Sequence, residues 1–117
     1  DVYKRQYEYD ALDDYPDFIF PCARAVASDP LSRGIILGGS GQGEAMAANR
    51  VKGVRAAVFY NGPIDIIKLS REHNNANILS IGARFMSEDE IRGVLDVWFN
   101  EPFGGGRHQR RIDKLDL

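Results

Sequence analysis

The chain has 117 residues, 44% of them hydrophobic and 27% charged, with a formal net charge of −2. That suffices for one modest domain with one core. The charge balance asks for neither nucleic acid nor an acidic membrane surface, no apolar run reaches the ~18 residues of a membrane helix, and the lone cysteine, Cys22, excludes an internal disulfide. A cytoplasmic setting is the default, and no Cys/His spacing proposes a zinc site.

Taken in order, the chain opens on charged, patternless residues, Asp1 to Gln6, without methionine or an apolar leader segment. An α/β domain usually begins with a hydrophobic strand, and none is evident before Asp17. The reading is therefore a single domain over 1–117 that lacks its first strand, with an irregular stretch over 1–12. As a fragment, the 117 residues alone are expected to be poorly stable and nearly inactive, because a bare strand edge would be left at Gly34–Leu37. Asp13-Asp14-Tyr15-Pro16-Asp17 signals a turn and a helix start, with Asp17 able to cap. Phe18, Cys22, Ala25 and Val26 then share a helix face, in which Pro21 sits deep enough to mark the real first turn. Ser28-Asp29-Pro30 ends it.

Gly34–Leu37 reads as a strand buried on both faces, since Ile35-Ile36-Leu37 has no polar alternation. Gly38–Gly43 is a glycine-rich turn that empties into a helix over Glu44–Arg50. Such a turn lets backbone approach a ligand, and helix-start amides favour an anion. The pattern is neither the dinucleotide fingerprint GxGxxG nor a P-loop, because Glu44 occupies the sixth position from Gly39 and no GK[ST] follows. Packing alone could also explain the glycines. Val54–Tyr60 is the next strand, closed by Asn61-Gly62-Pro63. A helix over Ile64–Asn74, a short strand Asn77–Ile81 and a capping box Ser87-x-x-Glu90 follow. Ile91, Val94, Leu95 and Trp98 then give the clearest helical period in the chain. Glu101 to Gly106 stops that helix, and Arg107–Leu117 reads as a basic terminal helix. Strands alternating with helices imply a parallel sheet with helices on both faces, with ligands beyond the strand C-termini.

Several polar residues carry two readings each. Glu44 is a capping acid or a general base aimed into the glycine turn. Ser40 caps the helix or binds a substrate oxygen. His73 meets helix-end carbonyls or donates a proton. Arg107 and Arg111, one helical turn apart, form a phosphate fork, a solvated face or a partner contact. Arg84 raises the same choice. Lys52 and Arg55 read as surface charges.

Three blocks in order, GIILGGSGQGEAMAANRVKGVRAA, LSREHNNANILSIGAR and GGRHQRRIDKL, resemble the type B ribose-5-phosphate isomerases, which group with the galactose-6-phosphate isomerase subunits. The resemblance runs from Asp13 to the C-terminus. It implies a three-layer α/β/α, Rossmann-like fold and an active site at a homodimer interface, or in a dimer of dimers. It implies an aldose–ketose isomerase of the pentose phosphate pathway, converting ribose 5-phosphate to ribulose 5-phosphate through an enediolate without metal or cofactor. By residue, substrate-holding loop amides fall on Gly39, Ser40, Gly41, Gln42 and Gly43. The ring-opening acid falls on His73, its substrate-binding neighbour on Asn74, and the phosphate arginines on Arg84, Arg107 and Arg111, some supplied across the dimer. Many members carry a catalytic cysteine at the position of Gly38. A branch with GGSG-x-GE uses the glutamate instead, so the resemblance moves the base to Glu44. The family's opening Gly-x-Asp-His motif is absent. The alternatives are a catalytically silent sugar-phosphate-binding subunit, a galactose or allose 6-phosphate isomerase, or a generic nucleotide-binding module, the last opposed by the missing fingerprint.

Overall fold

A computed structural model describes residues 2–3 and 14–116; side chains are described from residue 14 onward. The sheet has four strands: β1 (Val2–Tyr3), β2 (Arg33–Gly38), β3 (Ala56–Phe59) and β4 (Ile78–Gly82). Their spatial order is β1-β2-β4-β3, and every pair is parallel. The expectation of no strand ahead of Asp17 is corrected here: Val2 and Tyr3 pair with Arg33 and Gly34 and cover the start of the β2 edge. The remainder of 1–12, expected to be irregular, lies outside the described residues.

Helices α1 (Pro16–Ala27) and α2 (Gln42–Ala48) pack on one face, while α3 (Asp65–Glu72) and α4 (Glu88–Asn100) pack on the other. Alternation along the strands divides the two cores. Ile36 and Ile78 join Ile19, Cys22, Ala23, Val26, Ala47, Ala48 and Val54. Leu79 and Ile81, one step out of phase, join Phe59, Ile67, Ala76, Val94 and Trp98. Full burial of a side chain such as Ile67 or Leu79 contributes about 1.5–3 kcal/mol, so β4, buried at all five positions, anchors both layers. The three-layer α/β/α sandwich with a parallel sheet is the observed fold. Among the described residues no helix is long and apolar enough to cross a membrane.

Local chemistry explains the boundaries. Pro16, not Pro21, occupies the first turn of α1; Pro21 lies inside the helix, and Asp17 makes no capping bond. Proline has no N–H to lose at a helix start, which suits Pro16. The capping box of α4 is complete: Ser87 Oγ accepts from Glu90 N at 3.1 Å, and Ser87 N donates to Glu90 Oε1 at 2.9 Å. The expected face follows, with Val94 and Trp98 buried and Ile91 and Leu95 half-buried beside them. The terminal helix α5 is shorter than expected, Arg107–Ile112. Helix α2 begins two residues earlier than expected, because Gly41 at φ 77° turns the chain directly into it. Arg55 is not a surface charge. It is half-buried, its Nε donating to Asn75 O at 2.8 Å and its Nη1 to Gly53 O at 3.3 Å.

Candidate active site

The β2–α2 turn is built by close backbone approach. Gly38 and Gly82 end β2 and β4 side by side, so both following turns open on one edge of the sheet. Gly41 O accepts the first helical bond from Ala45 N at 3.1 Å and a second from the fully buried Ser80 Oγ at 2.7 Å. A trans peptide sends its C=O and the next N–H in opposite directions. With the Gly41 carbonyl pinned inward to β4, the Gln42 N–H faces outward, where Ser40 Oγ accepts it at 3.2 Å. A Cβ on Gly82 would lie 2.5 Å from Ser40 O, so the two turns touch backbone to backbone.

Three side chains frame the mouth of this turn. The Glu44 carboxylate folds back over Gly38: a Cβ built on Gly38 would overlap it, with Oε1 at 2.8 Å. The Arg84 guanidinium lies over Gly39, Nη2 being 3.1 Å from where a Cβ would sit, and Arg84 N donates to Gly39 O at 3.1 Å. The Tyr15 hydroxyl crowds Gly43, 2.7 Å from a Cβ built there. The aromatic pair Tyr60 and Phe85, with centroids 5.9 Å apart, stands on the neighbouring turns of the same edge. Glu44, Ser40, Arg84 and the turn amides Gly39 to Gly43 therefore form one group.

His73, Asn74, Arg107 and Arg111 form another, at the opposite edge. Helix α3 starts after β3 and returns beneath the sheet, so its C-cap, His73, precedes the start of β4. Gly104 N donates to Glu72 O at 2.9 Å and brings the tail to that helix end. There His108 stacks on His73 at 4.2 Å between centroids, with planes inclined by 16°. Partial burial, then the positive charges of His73, Arg107 and Arg111, lower the His108 pKa, and Glu72 opposes the shift. Asn74 lines a cavity of about 440 Å³ with Arg55, Asn49, Leu115 and Asp116. From Gly34 to Gly38 the sheet is about 13 Å tall, so a single chain does not close the two groups around one small sugar phosphate. His73 and Glu44 do not share a crevice within one copy.

Two contributors escaped the sequence reading. Tyr15 entered it only as part of a turn, and nothing in DYPD signals contact with Gly43. Ser80 stood in an apolar run; a lone hydroxyl inside a buried strand was its available signal, since such a group needs a partner.

The architecture defines a doubly covered parallel-sheet protein whose β2 and β4 end in adjoining glycine turns on one edge of the sheet, the edge at which such folds bind ligands. Residues 2–115 match the sequence profile of the Ribose/Galactose Isomerase family. Ribose-5-phosphate isomerase B of Mycobacterium tuberculosis is 45% identical over 108 residues, 92% of this chain and 65% of that protein. The enzyme of the same name from Mycolicibacterium paratuberculosis is 44% identical over 110 residues, covering 93% and 68%. The crystal structure of ribose-5-phosphate isomerase B from Mycoplasma genitalium, with bound ribulose-5-phosphate, superposes with a TM-score of 0.86 at 43% identity, over 95% of this chain and 72% of that one. The chain belongs to the ribose/galactose isomerase family, among its type B ribose-5-phosphate isomerases. It spans about two thirds of the length of these relatives.

Proposed function

We propose that the chain interconverts ribose 5-phosphate and ribulose 5-phosphate as a cytoplasmic homodimer. Each site takes the glycine turn, Glu44 and Arg84 from one copy and His73, Asn74, Arg107 and Arg111 from the other. The observation that carries the reading is the Glu44 carboxylate folded over Gly38 at the mouth of the amide turn, with Arg84 beside it. The two separated groups within one chain give the reason for two copies.

In this scheme His73 protonates the ring oxygen as the C1–O bond of the furanose breaks, and the C1 hydroxyl releases its proton to solvent to leave the open-chain aldehyde. Glu44 takes the proton from C2 and returns it to C1, a hydroxyl proton passes from O2 to O1, and amides of Gly39 to Gly43 hold the oxygen on which negative charge develops. A preorganised donor of this kind is worth about 3 kcal/mol by analogy with oxyanion holes. The three arginines bind the phosphate with forked, charge-assisted hydrogen bonds. The proton transfers are thus assigned to side chains of the protein itself. The bound ribulose-5-phosphate of the Mycoplasma genitalium relative supports the choice of sugar phosphate.

A coupled isomerase assay at high enzyme concentration tests the activity, and subunit mixing tests the shared site. Glu44→Gln and His73→Ala chains are each expected to be inactive. Mixed in equal amounts and allowed to exchange, they should regain activity at about a quarter of the sites, those in hybrid dimers with both residues intact. No recovery under exchange shown to occur would refute the two-copy site. Full activity of Glu44→Gln would remove Glu44 as the base.

A further inference from the structure

Arg71 is the one charged residue buried among the described residues. Its neighbours offer carbonyls and an amide, with no carboxylate among its hydrogen-bond partners. Nη1 donates to Ala76 O at 2.7 Å and to Asn75 Oδ1 at 2.8 Å, and Nε donates to Glu101 O at 3.2 Å. Burial first, then the charges of Arg33 and Arg55, pull its pKa down to about 10. A buried cation without a counter-charge is a poor source of stability, because the cost of removing it from water is only partly offset by neutral acceptors.

Its geometric effect is specific. Asn75 holds φ at 45°, in the left-handed region that a non-glycine residue enters at a cost of about 1–3 kcal/mol. Two arginines over-determine that conformation: Arg71 takes the Asn75 side chain and Arg55 takes its carbonyl. The third contact of Arg71, to Glu101 O, fastens the same turn to the segment leaving α4. That segment continues through Gly104, bonded to Glu72 O, into Arg107 and the His108 stack on His73. One guanidinium therefore ties the turn that carries His73 and Asn74 to the segment that carries Arg107 and Arg111.

We propose that Arg71 is a positioning residue: by bridging Asn75, Ala76 and Glu101 it sets the distance between His73–Asn74 and Arg107–Arg111, and so fixes how that edge of the protein holds a sugar phosphate. The inference rests on the reading of those four residues as a substrate-binding group. Lysine would not substitute, since a single ammonium lacks the planar fork that spans acceptors on separate segments.

The test uses Arg71→Met and Arg71→Lys, with Arg33→Met as control. Arg33 also holds α4, donating to Trp98 O and Phe99 O at 3.2 Å, but it does not touch the turn. Three quantities are measured: thermal melting, the NMR signals of the His73 and His108 rings, and ribose 5-phosphate affinity by calorimetry. Arg71→Met should melt cooperatively at a lower temperature, lose the mutual ring-current shifts of the two histidines, and bind ribose 5-phosphate at least tenfold more weakly. Arg71→Lys should change in the same sense by less, and decides the matter if Arg71→Met does not fold. Arg33→Met should lower the melting temperature and leave the ring signals and affinity within twofold of wild type. Unchanged ring signals and affinity in the folded Arg71 variants, or equal losses in Arg33→Met, would overturn the proposal. Failure of the wild-type chain to bind ribose 5-phosphate would defeat the functional reading instead, while the ring signals would still report whether Arg71 sets the turn.

Discussion

Glu44 and Gly38 share one volume. The carboxylate of the first lies where any side chain on the second would have to go. Gly38 is therefore the vacancy that lets the carboxylate reach the mouth of the amide turn.

Gly38→Ala should separate stability from activity. The atoms a methyl group would meet belong to the free end of a glutamate, which can swing aside. The stability cost should stay below about 1 kcal/mol, at the low end of overpacking. Turnover should fall at least tenfold, because the carboxylate is displaced. Chemical denaturation beside the coupled assay checks this; wild-type turnover would show that Glu44 acts from elsewhere.

Gly82→Ala should cost the stability that Gly38→Ala spares. A methyl group there would meet Ser40 O at 2.5 Å and Tyr60 Cβ at 2.6 Å. Backbone cannot rotate away as a side chain can. Destabilisation of about 3 kcal/mol is expected, with loss of activity. A melt within 2 °C of wild type would contradict the close approach of the two turns.

Ser80→Ala removes the hydrogen bond that pins the Gly41 carbonyl. The net loss of one buried hydrogen bond is about 1 kcal/mol. Because the Gln42 N–H on the same peptide is freed to tilt, kcat should fall more than KM rises. A variant with lower stability but unaltered kcat would confine Ser80 to packing.

Acid should erode stability in two stages. The His108 pKa is lowered in the folded state from its ordinary 6.5, so the unfolded chain binds more protons below that pH. Stability therefore declines as pH drops below about 6.5 and levels off beneath the folded pKa. Glu90 is lowered from 4.5, chiefly by its hydrogen bonds with Ser87, so a second decline follows below about 4.5. His108→Gln should abolish the first stage, and Glu90→Gln the second, in melting temperature recorded against pH. Saturating inorganic phosphate should shrink the first stage, since an anion beside Arg107 and Arg111 would raise the His108 pKa. Persistence of the first stage in His108→Gln would assign it to another group.

The order of elements was legible because each has a local cause. Ser87 and Glu90 announce α4 by a reciprocal cap, the glycines after Leu37 announce the turn, and uninterrupted apolar residues in β2 and β4 announce a covered parallel sheet. The start signal at Pro16 holds, but Pro21 does not mark the first turn: both prolines suit a helix start, and only the packing of Ile19, Cys22 and Val26 on the sheet settles which residue begins the helix. Arg55 and Arg71 illustrate a different blindness. Their partners include backbone carbonyls 5 to 30 residues away, and carbonyls are present at every position of every sequence.

The sequence by itself determined the alternation of strands and helices, the place of the amide turn, and the family, because periodicity, caps and turn chemistry act over a few residues. Only the tertiary structure decided that Glu44 lies over Gly38 while His73 stacks on His108 at the far edge of the sheet. A helix that returns beneath a parallel sheet carries its two ends to opposite edges, and no local pattern records which edge a ligand will use.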